Sequence, residues 1–294
     1  MPPLVAYRSD DDDNARWASF HFRRGDIVIS TRSKSGTTWM QMICALLVFG
    51  TPRLPAPLTT LSPWIDHRVE PIDVVTARLD AQQHRRFVKT HTPLDGVPMD
   101  PRATYVVVAR HPLDLAVSLY HQGDNIDRAR MRALTGAPEP TGPPAPRPTV
   151  HDWLVAWTER ETTPLEQLDS LVGVVHHASD AWDRQEGGNV VLVHYADLLA
   201  DLDGAMRSLA DRLGIAIDEA GWPDLVEAAT FASMRARSDE LSPNTLGVLK
   251  DNAAFFRSGR SGAGREVLTA EELARYERRV ATLAAPEVVA WLHR

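Results

Sequence analysis

Four short apolar runs stand out along the chain, at residues 27–29, 87–88, 105–108 and 190–193. Each is almost continuously hydrophobic, which is typical of parallel strands that are covered on both faces. Helical patterns lie between them, so the alternation predicts βαβ units and a parallel sheet. We therefore predict a single α/β domain over residues 1–294, with a central parallel sheet flanked by helices.

The helices are predicted from apolar spacing and from capping signals. One helix follows the first apolar run, another begins near Pro112, and two more are expected over residues 151–159 and 175–185. Thr269 and Glu272 have the spacing of a capping box. They open a helix whose apolar face is formed by Leu273, Tyr276, Val280 and Leu283.

Three segments lack such periodicity. Residues 1–20, which include an aspartate run, are predicted to be a solvated tail. Residues 137–148 contain six prolines and cannot form a regular element. This insert is either a surface loop or a mobile wall of a binding site. Residues 242–264 are rich in glycine, serine and arginine, and they are predicted to be largely irregular.

Residues 31–39 join the first predicted strand to a helix through a tight loop, and this arrangement is typical of a phosphate site. Backbone N–H groups and the helix dipole favour an anion there. Lys34 adds a positive charge, and Thr37 and Thr38 add hydroxyl donors. A Walker A loop requires a lysine directly after a glycine. Lys34 instead stands two residues before Gly36, so an ordinary ATPase loop is not predicted.

Polar residues follow the predicted strands, and the carboxyl ends of parallel strands meet at the ligand-binding edge of a sheet. Lys89, His91 and Arg110 stand at two of these ends. A second arginine segment lies at residues 257–260. Arginine binds phosphate through two parallel hydrogen bonds. Two arginine segments and a phosphate loop therefore predict a ligand with two separated phosphates.

Composition excludes several classes of partner and site, but it does not identify the function. The formal net charge of −7 gives no broad basic surface, so no nucleic-acid partner is predicted. The single cysteine, Cys44, excludes an internal disulfide and a cysteine-rich metal site, and we expect it to be a buried thiol. No apolar run is long enough to span a membrane and no signal peptide is visible. We predict a cytoplasmic enzyme.

The adjacent histidines His176 and His177 do not predict a metal site, because neighbouring residues on a helix do not face one metal.

Taken together, these segments resemble the cytosolic-type sulfotransferases that use 3′-phosphoadenosine 5′-phosphosulfate (PAPS). The run KSGTTW at 34–39 matches the 5′-phosphosulfate loop of that family, and residues 110–118 match its 3′-phosphate segment. Residues 89–91 match the Lys-Thr-His of the family's catalytic base. Tyr195 matches the tyrosine of its Tyr-Glu-Asp motif, and residues 255–259 match its Phe-x-Arg-Lys-Gly segment. The motifs stand in the family order between about residues 25 and 269, and the chain looks similar to mycobacterial and actinomycete glycolipid sulfotransferases.

The resemblance implies a P-loop-like, nucleotide-kinase-like fold and sulfuryl transfer from PAPS to a hydroxyl of a small-molecule or lipid acceptor, without a metal. The product is adenosine 3′,5′-bisphosphate (PAP). His91 is expected to be the general base, and Lys34 and Lys89 are expected to stabilise the developing charge. Trp39 and either Phe231 or Phe255 would flank the adenine. The residues expected to bind the nucleotide are Lys34, Ser35, Gly36, Thr37, Thr38, Trp39, Arg110, Ser118, Tyr195, Thr230, Phe231, Phe255, Arg257, Ser258 and Gly259.

The chain also departs from the family pattern. Ser258 replaces the usual lysine, so the 3′-phosphate would be held with fewer charges, or Arg260 and Arg265 would substitute. A family dimer motif is only partly present, as Arg265 and Thr269, and a homodimer is possible on that basis. Trp64 and His67 either line the acceptor pocket or have a structural role, and we leave both outside the predicted site.

Two other classes of function compete with this interpretation. A P-loop kinase acting on a small alcohol would need a magnesium-binding carboxylate at a strand end and a Gly-Lys-Ser/Thr run, and neither is visible. A non-catalytic protein that binds PAP or another nucleotide would have no use for Lys89 and His91 beside the phosphate loop. Thermal stabilisation by PAP, compared with ATP and magnesium, distinguishes these classes.

Overall fold

The computed structural model describes residues 4–136, 138, 142 and 146–294. Four parallel strands form one sheet in the order β2-β1-β3-β4. They are β1 (Ile27–Thr31), β2 (Phe87–Thr90), β3 (Thr104–Ala109) and β4 (Val190–His194). The four apolar runs are therefore confirmed as strands. Because all are parallel, the polar residues that follow them come together at one edge of the sheet.

Helices occupy the connections between the strands and most of the chain after β4. The predicted helices are confirmed, and the capping box of Thr269 and Glu272 is present. The helix predicted from residue 175 begins four residues earlier, where the Ser170 hydroxyl caps it. The α-helices are α1 (Thr37–Phe49), α2 (Leu58–Leu61), α3 (Ile72–Ala81), α4 (Pro112–Asn125), α5 (Arg128–Thr135), α6 (Val150–Glu159), α7 (Leu171–Arg184), α8 (Tyr195–Ala200), α9 (Leu202–Leu213), α10 (Trp222–Ala229), α11 (Phe231–Ala236), α12 (Ser238–Leu241), α13 (Asn252–Phe255), α14 (Ala270–Leu283) and α15 (Pro286–Leu292). Short 3-10 helices lie at Asn14–Ser19, Leu94–Gly96, Gln185–Gly187 and Glu219–Gly221.

The two faces of the sheet are buried by different parts of the chain. In β1, Ile27 and Ile29 pack against α1, α9 and α10, whereas Val28 packs on the opposite face. This alternation follows from the two-residue period of a strand. Cys44 lies in the first of these cores, and burial raises the pKa of its thiol to about 12, as expected for a packing residue. A further core joins α4, α6, α7, α14 and α15.

The N-terminal segment differs from the prediction of a solvated tail. Tyr7, Trp17 and Phe20 are buried, and the indole of Trp17 meets the ring of Phe20 edge-on, with ring centroids 5.4 Å apart. Trp17 and Phe20 belong to the core that covers Val28. The prediction is wrong for these residues because the aspartate run is flanked on both sides by aromatic side chains. Those side chains bury part of the second face of the sheet.

Most of the Pro-rich insert, residues 137–148, lies outside the described residues. Its last two residues pack on α4. The Tyr120 hydroxyl donates a hydrogen bond of 2.8 Å to the Pro148 carbonyl, and the Arg147 guanidinium lies 3.7 Å from the centroid of the Tyr120 ring. Whether the insert forms a wall of a binding site stays a prediction.

A buried ion pair joins the start of the sheet. Arg86 and Asp26 immediately precede β2 and β1, and both side chains are almost fully buried. Two guanidinium nitrogens of Arg86 donate to the Asp26 carboxylate at 2.9 and 2.5 Å, and the Arg23 amide donates to the same carboxylate at 2.7 Å. The cation also lies 4.7 Å from the centroid of the Phe20 ring. The pair thus connects two strands and the N-terminal segment.

Replacing Arg86 by Met should lower the free energy of unfolding by about 3–5 kcal/mol, because the substitution leaves the Asp26 carboxylate buried without its partner. Arg102→Met is a matched control, since the ion pair between Arg102 and Asp100 is largely exposed at the arginine. The control should change stability far less. Urea denaturation of the three proteins measures the difference, and equal effects of the two substitutions would contradict a structural role for the buried pair.

Candidate active site

The phosphate loop lies between β1 and α1, at the carboxyl edge of the sheet. Gly36 is the N-cap of α1 and has a φ of 101°, a conformation that glycine adopts readily. A Cβ atom on Gly36 would lie 3.0 Å from the Tyr195 ring, so the close approach also requires glycine. Lys34 has a φ of 65°, in the left-handed region that side chains other than glycine rarely adopt. The loop is thus held in a strained shape beneath the start of α1.

A cavity of about 830 Å³ opens above this loop. Ser35 and Thr230 do not line it. Ser35 is buried below the loop, and the Thr230 hydroxyl caps α11 by accepting from the Ser233 amide at 3.2 Å. The structure brings all the other predicted site residues together in the cavity wall: Lys34, Gly36, Thr37, Thr38, Trp39, Lys89, His91, Arg110, Ser118, Tyr195, Phe231, Phe255, Arg257, Ser258 and Gly259.

Two lysines give this cavity buried positive charge. The pKa of Lys34 is lowered to about 7 by burial and by the charges of Arg110, Arg257 and Lys89. Burial lowers the pKa of Lys89 to about 8. Both shifts show that the ammonium groups are incompletely solvated, and the shift of Lys34 also reflects repulsion by the neighbouring cations. The cavity is therefore suited to a ligand with several negative charges.

The two arginine segments also meet in the cavity. Arg110 donates 3.1 Å to the Lys34 carbonyl and 3.0 Å to the Arg260 carbonyl, and its guanidinium lies 4.3 Å from the centroid of the Tyr195 ring. The Nε atoms of Arg110 and Arg257 are buried and have no hydrogen-bond partner among the described residues. Unpartnered buried donors of this kind fit an anionic ligand that the protein would bind here.

Arg260 and Arg265, the two arginines considered as replacements for the missing lysine, do not line the cavity. The Arg260 side chain is exposed and pairs with Glu266 at 3.6 Å, and Arg265 is exposed as well. Only the backbone carbonyl of Arg260 takes part, through Arg110. Gly259 is packed under the Phe231 ring, where an added Cβ would lie 2.5 Å from ring atoms. The predicted substitution by Arg260 and Arg265 thus has no support from their positions.

Asp114, in the first turn of α4, fixes the loop that carries these residues. Its carboxylate accepts 2.8 Å hydrogen bonds from the amides of Gly262 and Gly264. Gly264 also lies against Leu113, where an added Cβ would be 2.4 Å from backbone and side-chain atoms. Because α4 follows Arg110 directly, this contact holds the Arg257 segment close to Arg110.

His91 follows β2 and is buried beside the phosphate loop. Its Nδ1 lies 2.6 Å from the Thr31 carbonyl oxygen. A carbonyl can only accept, so Nδ1 carries the proton and Nε2 has a free lone pair. Burial, followed by the charges of Lys89 and Arg32, holds the pKa of His91 well below its usual range. The Arg32 guanidinium donates to the His91 carbonyl and to Asp169, which fixes this turn. The imidazole is therefore neutral near pH 7 and able to accept a proton.

Trp64 and His67, which were left outside the predicted site, line the cavity beside the predicted catalytic residues. The Trp64 backbone pairs with Lys89, and the Lys89 ammonium lies 4.0 Å from the centroid of the indole ring. His67 stacks on Trp64 with centroids 4.2 Å apart, and His91 meets the indole edge-on at 4.6 Å. Helical or strand periodicity gives no signal for this contact, because it depends on a loop pairing with the edge of the sheet.

The cavity lining outside the predicted site residues is chemically divided. One wall is apolar and comes from α4, α5 and the irregular segment before α13; it contains Leu119, Ile126, Met131, Leu134, Leu246 and Leu249. The other wall carries charged groups from the N-terminal segment and the loops around α3 and before α7: Asp11, Asp12, Glu70, Arg78 and Asp169. A ligand that fits both walls is amphipathic.

Comparison with known proteins decides the family. A model of the sulfotransferase domain matches residues 24–285. A glycolipid sulfotransferase from Mycobacterium tuberculosis is 42% identical over 310 residues, which cover 100% of this chain and 95% of the relative. The chain belongs to the sulfotransferase family. An amine sulfotransferase from Oryctolagus cuniculus is a more distant relative, 22% identical over 269 residues, 88% of this chain and 80% of the relative.

Solved structures agree with the sulfotransferase fold. Mouse sulfotransferase SULT7A1 complexed with PAP superposes with a TM-score of 0.68 at 16% identity, covering 95% of this chain and 90% of that one. Retinol dehydratase in complex with androsterone and PAP also gives 0.68, at 19% identity over 92% and 86% of the two chains. The prediction of a P-loop-like sulfotransferase fold is confirmed.

The family assignment settles the class of enzyme against the kinase and the non-catalytic alternatives. In the part of the chain that the structure describes, no group of three His, Cys, Asp or Glu side chains could hold a metal ion. No helix in the described ranges combines the length and apolar character that spanning a bilayer requires. Metal independence, a cytoplasmic location and a homodimer stay predictions for this sulfotransferase.

Asp114→Ala should lower the free energy of unfolding by about 1.5–3 kcal/mol, the usual effect of losing hydrogen bonds to a charged group. The amides of Gly262 and Gly264 should exchange faster with deuterium, because they lose their acceptor. Asp73→Ala serves as a control, since Asp73 is an exposed residue in the first turn of α3. Unchanged exchange at both glycines in the Asp114 variant would show that the loop is held by other contacts.

Proposed function

We propose that this sulfotransferase transfers the sulfuryl group of PAPS to a hydroxyl of a glycolipid, with His91 as the general base. The observation that carries the proposal is the meeting of four cationic side chains and a neutral imidazole in one cavity that also has an apolar wall. The whole-chain likeness to a mycobacterial glycolipid sulfotransferase supports the acceptor class. A small-molecule alcohol is the alternative acceptor.

The donor end of the cavity fits PAPS. The amides of the phosphate loop, with Lys34, Thr37 and Thr38, would hold the 5′-phosphosulfate at the start of α1. Arg110, Ser118 and the 257–259 segment would hold the 3′-phosphate, with the unpartnered Nε atoms of Arg110 and Arg257 beside it. Trp39 is fixed by a 2.8 Å hydrogen bond from its indole nitrogen to the Ala229 carbonyl and packs on Tyr195. It would flank the adenine together with Phe231.

Phe255 is not expected to flank the adenine, the role for which it was the alternative to Phe231. Its ring lies 4.2 Å from the Lys34 ammonium, which also donates to Gln122 at 3.1 Å. We therefore assign Phe255 to the support of Lys34 and Phe231 to the adenine. Ser35 and Thr230 would act through the loop shape and the cap of α11, because their side chains do not line the cavity.

PAPS supplies an activated sulfur, which bonds to the acceptor oxygen while its bond to the bridging phosphate oxygen breaks and that electron pair leaves with PAP. His91 Nε2 takes the proton of the attacking hydroxyl, because Nδ1 is already engaged with Thr31. Lys34 and Lys89 stabilise the negative charge that develops on the sulfuryl and phosphate oxygens. Burial of both lysines strengthens that effect, since the surrounding medium screens their charges poorly.

His91→Ala should abolish turnover while leaving the affinity for PAP largely intact, because the base acts on the acceptor and does not hold the nucleotide. Loss of a general base typically costs 10²–10⁴-fold in rate. The measurement is single-turnover transfer from labelled PAPS to an extracted glycolipid, with a calorimetric titration of PAP in EDTA. A variant that keeps more than about a tenth of the wild-type rate would remove His91 from the catalytic role.

His84→Ala is the control for that variant. His84 is a partly buried histidine outside the cavity wall, where it packs against Phe49. It should retain wild-type transfer and PAP binding. Binding of PAP that disappears in EDTA would contradict the metal-free proposal.

The affinity for PAP should fall as the pH rises from 7 to 9. The pKa of Lys34 is lowered to about 7 in the free protein, and an adjacent anion favours its charged form, so binding above pH 7 must take up a proton. Lys89 has a pKa of about 8, so its loss of a proton at higher pH also lowers the affinity for PAP. Calorimetry across this range should show the decline, approaching tenfold per pH unit for each lysine titrated.

Lys34→Arg tests the origin of that decline, since arginine stays charged at these pH values. The dependence of PAP affinity on pH should become shallower in the variant but remain, because Lys89 still titrates. An affinity that is constant or rises between pH 7 and 9 in the wild type would show that the two lysines do not contact the bound phosphates.

A further inference from the structure

One carboxyl in the acceptor half of the cavity has a position that sulfuryl transfer alone does not explain. Asp12 belongs to the N-terminal segment, whose backbone pairs with the loop after Trp64. Asp12 forms a bridge with His67, and the Asp13 amide donates 2.8 Å to the Asp66 carbonyl. The pairing places the Asp12 side chain in the cavity wall.

The Asp12 carboxyl has an oxygen without a partner among the described residues, whereas Asp169 and Glu70 in the same wall form ion pairs. Its Oδ1 is buried without a hydrogen bond from any described residue. Asp169 pairs with Arg32 at 2.6 Å, and Glu70 pairs with Arg78. Burial raises the pKa of Asp12 to about 7, and the charge of Asp66 acts in the same direction. Asp12 as a whole is half-buried, but a buried oxygen without a hydrogen bond is costly, and a ligand that donates to it offsets that cost.

Asp12 also lies close to the reacting groups. Of the neighbouring charges, that of Asp12 has the largest effect on the pKa of Lys89, which it raises. Lys89 and His67 both contact the Trp64 indole, and the His91 ring lies nearly perpendicular to it with centroids 4.6 Å apart. Asp12, His67, Trp64 and His91 therefore form one continuous wall. A substrate hydroxyl that reaches His91 places its neighbouring substituents near Asp12.

We propose that Asp12 accepts a hydrogen bond from a second hydroxyl of the acceptor, adjacent to the one that receives the sulfuryl group, and so selects sugar headgroups over alcohols with a single hydroxyl. This inference rests on the proposed function. An ammonium group is the other donor that a carboxyl recognises. The cations Lys89 and Arg32 line the same cavity and both interact electrostatically with Asp12, so they disfavour a third positive charge there.

The test compares three acceptors that share one alkyl chain and differ in the headgroup: octyl β-glucoside, 1-octanol and octylamine. Initial rates of transfer from PAPS give kcat/KM for each with the full-length protein. The ratio of kcat/KM for octyl glucoside to that for octanol should fall about 10- to 100-fold in Asp12→Ala, the factor expected from a hydrogen bond to a charged or buried acceptor. Asp12→Asn, which keeps an acceptor oxygen, should lose less.

Asp10→Ala is the matched control, because Asp10 belongs to the same aspartate run and is exposed. Its acceptor ratio should equal that of the wild type. PAP titrations show whether each variant retains its donor site, and the Asn variant keeps the test valid where the Ala variant does not fold.

The outcomes separate this inference from the proposed function. Equal losses for octyl glucoside and octanol in both Asp12 variants would overturn the selection of polyols, as would a loss confined to octylamine. A wild-type enzyme that transfers to octanol but no better to octyl glucoside would also overturn it, while leaving the sulfotransferase mechanism in place. A wild-type enzyme that transfers to none of the three from PAPS would contradict the proposed function, and the inference would fall with it.

Discussion

Three cations in the active-site cavity rest on aromatic rings rather than on carboxylates. Lys34 lies over Phe255, Lys89 over Trp64 and Arg110 over Tyr195, at 4.0–4.3 Å from the ring centroids. An aromatic face attracts a cation without neutralising it. The side chains are thereby held in place while their charge remains available to a ligand. The lowered pKa values of both lysines show how much this arrangement depends on an incoming anion.

The rest of the architecture keeps these cations together against their mutual repulsion. The parallel sheet places the ends of β1, β2 and β3 side by side, so residues far apart in sequence share one edge. Asp114 holds the loop of Arg257 against α4 through two backbone amides. Arg32 fixes the turn that carries His91. Each of these contacts constrains a group in the cavity wall.

The acceptor half of the cavity depends on a different part of the chain. Part of its polar wall comes from the N-terminal segment, which is anchored by Trp17 and Phe20 in the core beneath the sheet. Anchoring by large apolar side chains allows the short polar stretch between Tyr7 and Trp17 to carry Asp11 and Asp12 into the wall. Acceptor recognition is thus connected to the stability of the N-terminal segment. The donor half depends on it much less.

The sequence by itself determined the strands, most of the helices and the group of residues that meets in the cavity wall. Short, continuous apolar runs of this kind are typical of buried parallel strands. The phosphate loop, Arg110 and residues 89–91 stand at the ends of those runs in the sequence, so predicting the strands also placed these residues at one edge of the sheet. The buried N-terminal aromatics, the cation–π contacts of Lys89 and the exposure of Arg260 and Arg265 were decided only by the tertiary structure. They depend on contacts between segments separated by up to about a hundred and fifty residues, as with Arg110 and Arg260. Periodicity reports which face of an element is buried, but it carries no information on which distant side chain covers that face.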